Sequence, residues 1–147
     1  MEGVEDIPGT ALHEGIDWAW ESFAEYLDAV DGMPRVLDVA AQVPHAAVRA
    51  YVMGERAHDA ATADDIAAMA ALVEAAMRAG AVGFTTSRTI LHNSKHGLVP
   101  GTEAHLDELY ALADAVGASG HGVLEAGFAP PARRAGRGPR GRRTRRR

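Results

Sequence analysis

The side chains best placed to do chemistry close the run Gly80-Ala81-Val82-Gly83-Phe84-Thr85-Thr86-Ser87-Arg88. There a glycine stop and a short apolar strand follow a long apolar-periodic helix, and the strand ends in four polar residues. That order suits a (β/α) enzyme barrel, whose reactive groups sit where strand C-termini open into loops. An Arg88 guanidinium at such a tip could grip a substrate carboxylate in a bidentate fork. It could equally anchor the long loop that follows it. Ser87 has no histidine at a recognisable triad spacing, so a serine hydrolase is not indicated. His45 follows Pro44 at another strand end. It could hydrogen-bond substrate, hold the neighbouring loop, or be a satisfied structural histidine. His45, Ser87 and Arg88 are therefore the candidate substrate-binding residues.

Other residues carry weaker signals. His92 and His96 are four apart, as a metal pair on a helix would be. They flank Asn93-Ser94-Lys95 and precede Gly97, a loop context in which that spacing means nothing. Arg49, one turn beyond His45 on a short helix, is expected to pair with an acidic neighbour. Glu55-Arg56 reads as a helix-terminal salt bridge, Glu125 as a strand-end carboxylate, and Trp18 and Trp20 as core or lid packing. No residue is assigned as catalytic or as a metal ligand.

Local signals define the elements that must position these groups. Residues 1–16 read as irregular. Ser22 with Glu25, and Thr62 with Asp65, form capping boxes. They predict helices over Phe23–Asp31, stopped by Gly32, and Ala63–Ala79, stopped by Gly80. Phe23, Tyr26, Leu27 and Val30 share one face of the first. Ile66, Met69, Ala70, Val73, Ala76 and Met77 share one face of the second. Val36–Val43 reads as a buried parallel strand, followed by a short helix over Ala46–Met53 closed by Gly54. A second strand is expected over Ala81–Thr85, then a loop over Thr86–Gly101. Thr102 would cap a helix over Glu103–Val116 with Leu106, Leu109, Tyr110 and Ala113 inward. A third strand follows over Gly122–Glu125. Alternating strands and helices imply an α/β fold with a parallel sheet.

Composition sets the outer limits. The 147 residues suffice for one domain with a core but fall short of the ~250 of an eight-fold barrel. There is no cysteine, hence no disulfide and no thiolate metal site. No apolar run could span a membrane, and the acidic start Met1-Glu2-Gly3-Val4-Glu5-Asp6 is unlike a secretory signal. A cytoplasmic protein is expected. Nine of the 15 basic residues lie between Arg133 and Arg147, so residues 1–128 hold six against all 20 acidic ones, a balance of −14. Residues 129–147 contain only Ala, Pro, Arg, Gly and Thr, a composition that cannot build a core. This tail reads as disordered. As a basic arm it could bind nucleic acid with strong salt dependence, although it lacks aromatics for base stacking. Its composition also matches GC-rich coding DNA read out of frame.

Several strings together carry a family resemblance. Met1-Glu2-Gly3-Val4-Glu5-Asp6-Ile7-Pro8-Gly9, Trp20-Glu21-Ser22-Phe23 with Tyr26-Leu27-Asp28, Val52-Met53-Gly54-Glu55-Arg56, the 80–88 run and Val99-Pro100-Gly101-Thr102 occur in order. Over roughly residues 1–127 the chain resembles the N-acyl-D-amino-acid deacylases, or D-aminoacylases, of the amidohydrolase superfamily. The resemblance implies a metal-dependent hydrolase on a TIM-type barrel, with zinc activating water against a linear amide. It also implies a metal site built from a His-x-His pair, a cysteine, two later histidines and an aspartate. This sequence has neither a His-x-His nor a cysteine, so no metal ligand or catalytic acid or base carries over to it. The expectation is a middle slice of such an enzyme. Residues 1–128 would form a partial barrel of about three strands that holds no zinc and is inactive alone. Open sheet edges would favour self-association. The alternative is a small acidic α/β protein whose arginine-rich tail binds nucleic acid.

Overall fold

The structure is a computed structural model in which residues 7–94 and 97–128 are described. The elements run α1 (Gly9–Gly15), α2 (Phe23–Asp31), β1 (Val43–Pro44), α3 (His45–Met53), a 3₁₀ turn (Gly54–Arg56), α4 (Ala63–Ala79), β2 (Gly83–Arg88), β3 (Asn93–Ser94), β4 (Gly97–Leu98), α5 (Leu106–Ala118) and β5 (Val123–Phe128). Strands β1, β2 and β5 form a parallel sheet in that order, and β3 and β4 form an antiparallel hairpin. The fold is α/β, consistent with a partial β/α barrel. No helix among the described residues is long and apolar enough to cross a membrane.

Both capping boxes are present. The Ser22 hydroxyl accepts from the Glu25 N–H, and the Glu25 carboxylate accepts from the Ser22 N–H at 2.8 Å. Thr62 and Asp65 repeat the pattern at α4. These motifs fix both starts as expected, because each satisfies backbone donors that the first helical turn leaves open. The predicted apolar face of α4 is the one it buries. Met69, Val73, Ala76 and Met77 join Val43, Val48, Met53, Phe84, Leu112 and Val116 in one core between the sheet and α3, α4 and α5.

Other expectations are corrected. Residues 9–15 are helical rather than irregular. The strand expected over Val36–Val43 shrinks to Val43–Pro44, and Val36, Leu37 and Val39 are exposed. The register explains this. Val43 pairs with Phe84, and Val82 N–H donates to Ala41 at 3.0 Å. Residues before Ala41 would face Gly80 and the end of α4, where no ladder partner exists. β2 begins two residues later than predicted and runs to Arg88, so Ser87 and Arg88 belong to the strand. The third strand likewise shifts, to Val123–Phe128. The expected loop after β2 contains the β3–β4 hairpin. Thr102 does not cap a helix. Its hydroxyl turns back to the Val99 carbonyl, and α5 starts later, with His105 accepting from the Asp107 N–H. The buried face of α5 is Glu108, Leu112, Ala115 and Val116, whereas Leu106 and Tyr110 are exposed. Trp18 is 56% exposed with φ 45°, so it is not core; it lies 6.2 Å from Trp20, ring centre to ring centre. The tail beyond Phe128 lies outside the described residues.

β2 and β5 approach closely at Gly83. A Cβ there would sit 2.1 Å from the Val123 carbonyl oxygen, a backbone atom that cannot swing aside. Gly83→Ala should therefore part the two strands, at a cost of about 1–3 kcal/mol or more. Urea unfolding should show a lower midpoint; an unchanged midpoint would mean that the two strands do not make this contact.

Candidate functional site

The C-terminal ends of β1 and β2 meet the first turns of α3 and α5 around a buried polar cluster. His45 opens α3, Thr86 lies on β2 and Glu108 sits in the first turn of α5. The three are nearly inaccessible, and so is Arg49, one turn along α3. Arg49 Nη1 donates to both Glu108 oxygens, at 2.6 and 2.5 Å, and Nε donates to the Ala57 carbonyl at 3.0 Å. Nη2 donates to the Asp59 carbonyl. His45 Nε2 lies 2.7 Å from Glu108 Oε1, and Nδ1 lies 2.8 Å from the Thr86 hydroxyl.

The charge state follows from this geometry. Burial is the largest single influence on Glu108 and pushes its carboxyl up. Hydrogen bonds from His45 and Arg49, with the Arg49 charge, together outweigh burial and hold the carboxyl below its usual range. An ionised carboxylate only accepts, so His45 donates its Nε2–H to Glu108. In the neutral ring Nδ1 then accepts the Thr86 hydroxyl proton. Among the described residues no buried side-chain nitrogen or oxygen lacks a partner. The cluster is thus closed: both His45 nitrogens and both Glu108 oxygens are engaged, with none left for a substrate or an ion in this arrangement.

The rim loop is packed on top of it. Gly101 has φ +91°, and a Cβ there would meet His45 Nδ1 at 2.6 Å. Only glycine allows the backbone to lie over the ring in this left-handed conformation. Thr102 and Ala104 are buried beside it. Arg88 Nη1 donates to the Ala104 carbonyl at 2.6 Å, so Arg88 ties down the same loop through a backbone carbonyl rather than a carboxylate.

Ser87 lies elsewhere. Phe84 is in the core and Thr86 touches His45, so even-numbered residues of β2 face the helices. Successive strand residues point to opposite faces. Arg88 therefore shares the helix side, while Thr85 and Ser87 face the side without helices. There the Ser87 hydroxyl is 2.5 Å from His92 Nδ1, a contact across five residues with no triad-like sequence signal. Glu125, opposite Thr85 in the register, is exposed on that same side.

Two weaker candidates resolve differently. His96 lies outside the described residues, so the His92/His96 pair has no geometry to report. Arg56 pairs with Asp65 rather than Glu55, its two terminal nitrogens 2.9 and 3.2 Å from the carboxylate. These bonds and those from Thr62 hold Asp65 far below its usual pKa. A cavity of about 700 Å³ lies against Trp20, Phe23, Tyr26, Val48 and Leu72 and reaches Val43 and Pro44 of β1. Among the described residues no three His, Cys, Asp or Glu side chains converge as a metal site would require.

Comparison with known proteins decides the family. The amidohydrolase family model matches residues 1–133. The chain belongs to the amidohydrolase family. A D-aminoacylase of Alcaligenes xylosoxydans xylosoxydans is 43% identical over 79 residues, which cover 54% of this chain and 16% of that protein. The match thus spans about one sixth of the relative's length. No solved structure matches the chain significantly. Amidohydrolases are generally metal-dependent, yet the described residues of this one do not fit a metal: its buried histidine and glutamate are spent on each other and on Arg49.

Glu108→Gln leaves the buried Arg49 charge uncompensated and should cost about 3–5 kcal/mol at pH 7. The native carboxyl is held below its unfolded value, so its stabilisation is present above that value, roughly pH 4.3, and is lost as pH falls through the folded value. The gap between native and Glu108→Gln should therefore shrink on acidification below pH 4. Urea titrations from pH 7 to 3 test this. A constant gap would show that the Glu108 charge contributes nothing.

Proposed function

We propose that this chain is one segment of a barrel that hydrolyses the amide bond of N-acyl-D-amino acids. The observation that carries the reading is the 43% identity to a D-aminoacylase, set within the amidohydrolase match. Zinc, when bound by other parts of such a barrel, supplies an activated water and polarises the amide carbonyl. The residues of this segment would shape the rim. His45, Glu108 and Arg49 hold the strand tips and the loop at Gly101, Arg88 pins that loop at Ala104, and Ser87 meets the ligand. Free D-amino acid and a carboxylic acid would be the products, and the 147-residue chain alone would be inactive.

Two preparations test this. The purified chain with added zinc should release no amino acid from N-acetyl-D-leucine. A chimera, in which the 79 matched residues replace their counterparts in the Alcaligenes enzyme, should hydrolyse the D substrate and spare the L form. Chiral chromatography reads both. Activity of the chain alone would contradict the segment reading, and a folded but inactive chimera would contradict the functional one.

The same reading accounts for the surface. Val36 is 99% exposed, Leu37 76% and Phe128 72%. β1 and β5 form the two sheet edges, each without a second strand neighbour among the described residues. Such edges and patches drive association, so we propose that the isolated chain self-associates. Sedimentation velocity should show its mean mass rising with concentration; a monomer throughout would remove this proposal.

A further inference from the structure

We propose that Glu125 sets a charge preference for the ligand side chain, resting on the reading above that this face meets an N-acyl-amino acid. The argument begins with register. In the parallel β2–β5 pair, Thr85 lies opposite Glu125 and Ser87 opposite Gly127. Residues at matched positions of neighbouring strands project to the same side of a sheet. Phe84 and Thr86 point into the helix layer, so Thr85, Ser87, Glu125 and Gly127 share the opposite face. β1 adds Pro44, which is paired with Thr85.

That face has the makings of a binding wall. Ser87, held at 2.5 Å by His92, presents a hydroxyl whose remaining lone pair can accept from an amide N–H. Beside it Gly127 has no side chain, and the nearest atom to a Cβ built there, outside its chain neighbours, is 4.0 Å away. This leaves a shelf flanked by Ser87 and, two residues back along β5, by Glu125. Glu125 is exposed, and among the described residues it has no hydrogen-bond or ion-pair partner. Arg88, the nearest cation in the strand, is on the other face and tied to Ala104. Among the described residues nothing charged on this wall balances the carboxylate. A ligand whose amide reaches Ser87 would place its side chain over the shelf, near Glu125. An acidic side chain is repelled there and a basic one attracted. The structure thus assigns this wall to N-acyl-amino acids with neutral or basic side chains.

The test is a set of titrations of the isotope-labelled 147-residue chain at low ionic strength, following the amides of Thr85, Ser87, Glu125 and Gly127. The ligands are N-acetyl-D-lysine, N-acetyl-D-alanine, N-acetyl-D-glutamate and N-acetyl-L-lysine. The lysine derivative should bind about 25-fold more tightly than the glutamate derivative, two steps of the roughly fivefold expected of one unit charge at close range in water, with the alanine derivative between them. Glu125→Gln should abolish the ratio, and Glu125→Lys should invert it. Equal affinities, a ratio that survives in Glu125→Gln, or no perturbation of these amides by any ligand would overturn the proposal. Equal binding of D- and L-lysine derivatives with the charge ratio intact would leave Glu125 in place and count against the D-amino-acid reading. D-selective binding with shifts confined to other residues would do the reverse.

Discussion

The Arg49–Glu108 pair is the constraint around which the strand tips are arranged. It joins α3 to α5 across 59 residues of chain, inside a core where both groups are almost inaccessible. Ion pairs at such depth are seldom net stabilisers, because both charges lose hydration. What they supply is geometry. A carboxylate with four lone-pair directions and a guanidinium with a rigid fork must meet in one orientation or leave a charge stranded. Here that orientation also fixes His45, and through it Thr86 on β2 and the backbone at Gly101. One electrostatic demand therefore sets the relative positions of two strand ends, two helix starts and the rim loop.

The same demand explains why α5 was hard to read. Its apolar residues suggest an inward face through Leu106, Leu109, Tyr110 and Ala113. The helix is instead rotated so that Glu108 is buried and Leu106 and Tyr110 are exposed. An acid in the first turn of a helix is ordinarily a surface residue that favours the helix dipole. Nothing within a turn of Glu108 announces partners at His45 and Arg49. Long-range pairing of charges is invisible to local pattern, and it outweighs a few half-buried leucines.

What was legible was local. The capping boxes at Ser22 and Thr62 close within three residues, and the face of α4 repeats over seventeen. Arg49 was legible as an ion-pair partner, though not its acid. The strand tips were harder. Thr85-Thr86-Ser87-Arg88 is polar throughout, so no apolar alternation reveals which side chains share a face. Ser87 and Arg88 look like companions in sequence and are separated by the sheet itself. The apolar run from Val36 reads as a strand because composition cannot report that the neighbouring chain has already turned into the end of α4.

This division of labour bears on how such a rim works. Groups that face the helices are saturated: among the described residues every buried side-chain nitrogen and oxygen is matched, and Gly101 seals the ring of His45. Saturated groups hold position and offer no free partner to a ligand. The face without helices is different. The Ser87 hydroxyl keeps a free lone pair, Gly127 leaves room, and the Glu125 carboxylate is unpaired among the described residues. A rigid layer behind an unsaturated one is what ligand recognition requires, because groups held by their own supports need little reordering on binding. The alternation of a parallel strand, one residue toward the helices and the next away, produces both layers from the same six residues of β2.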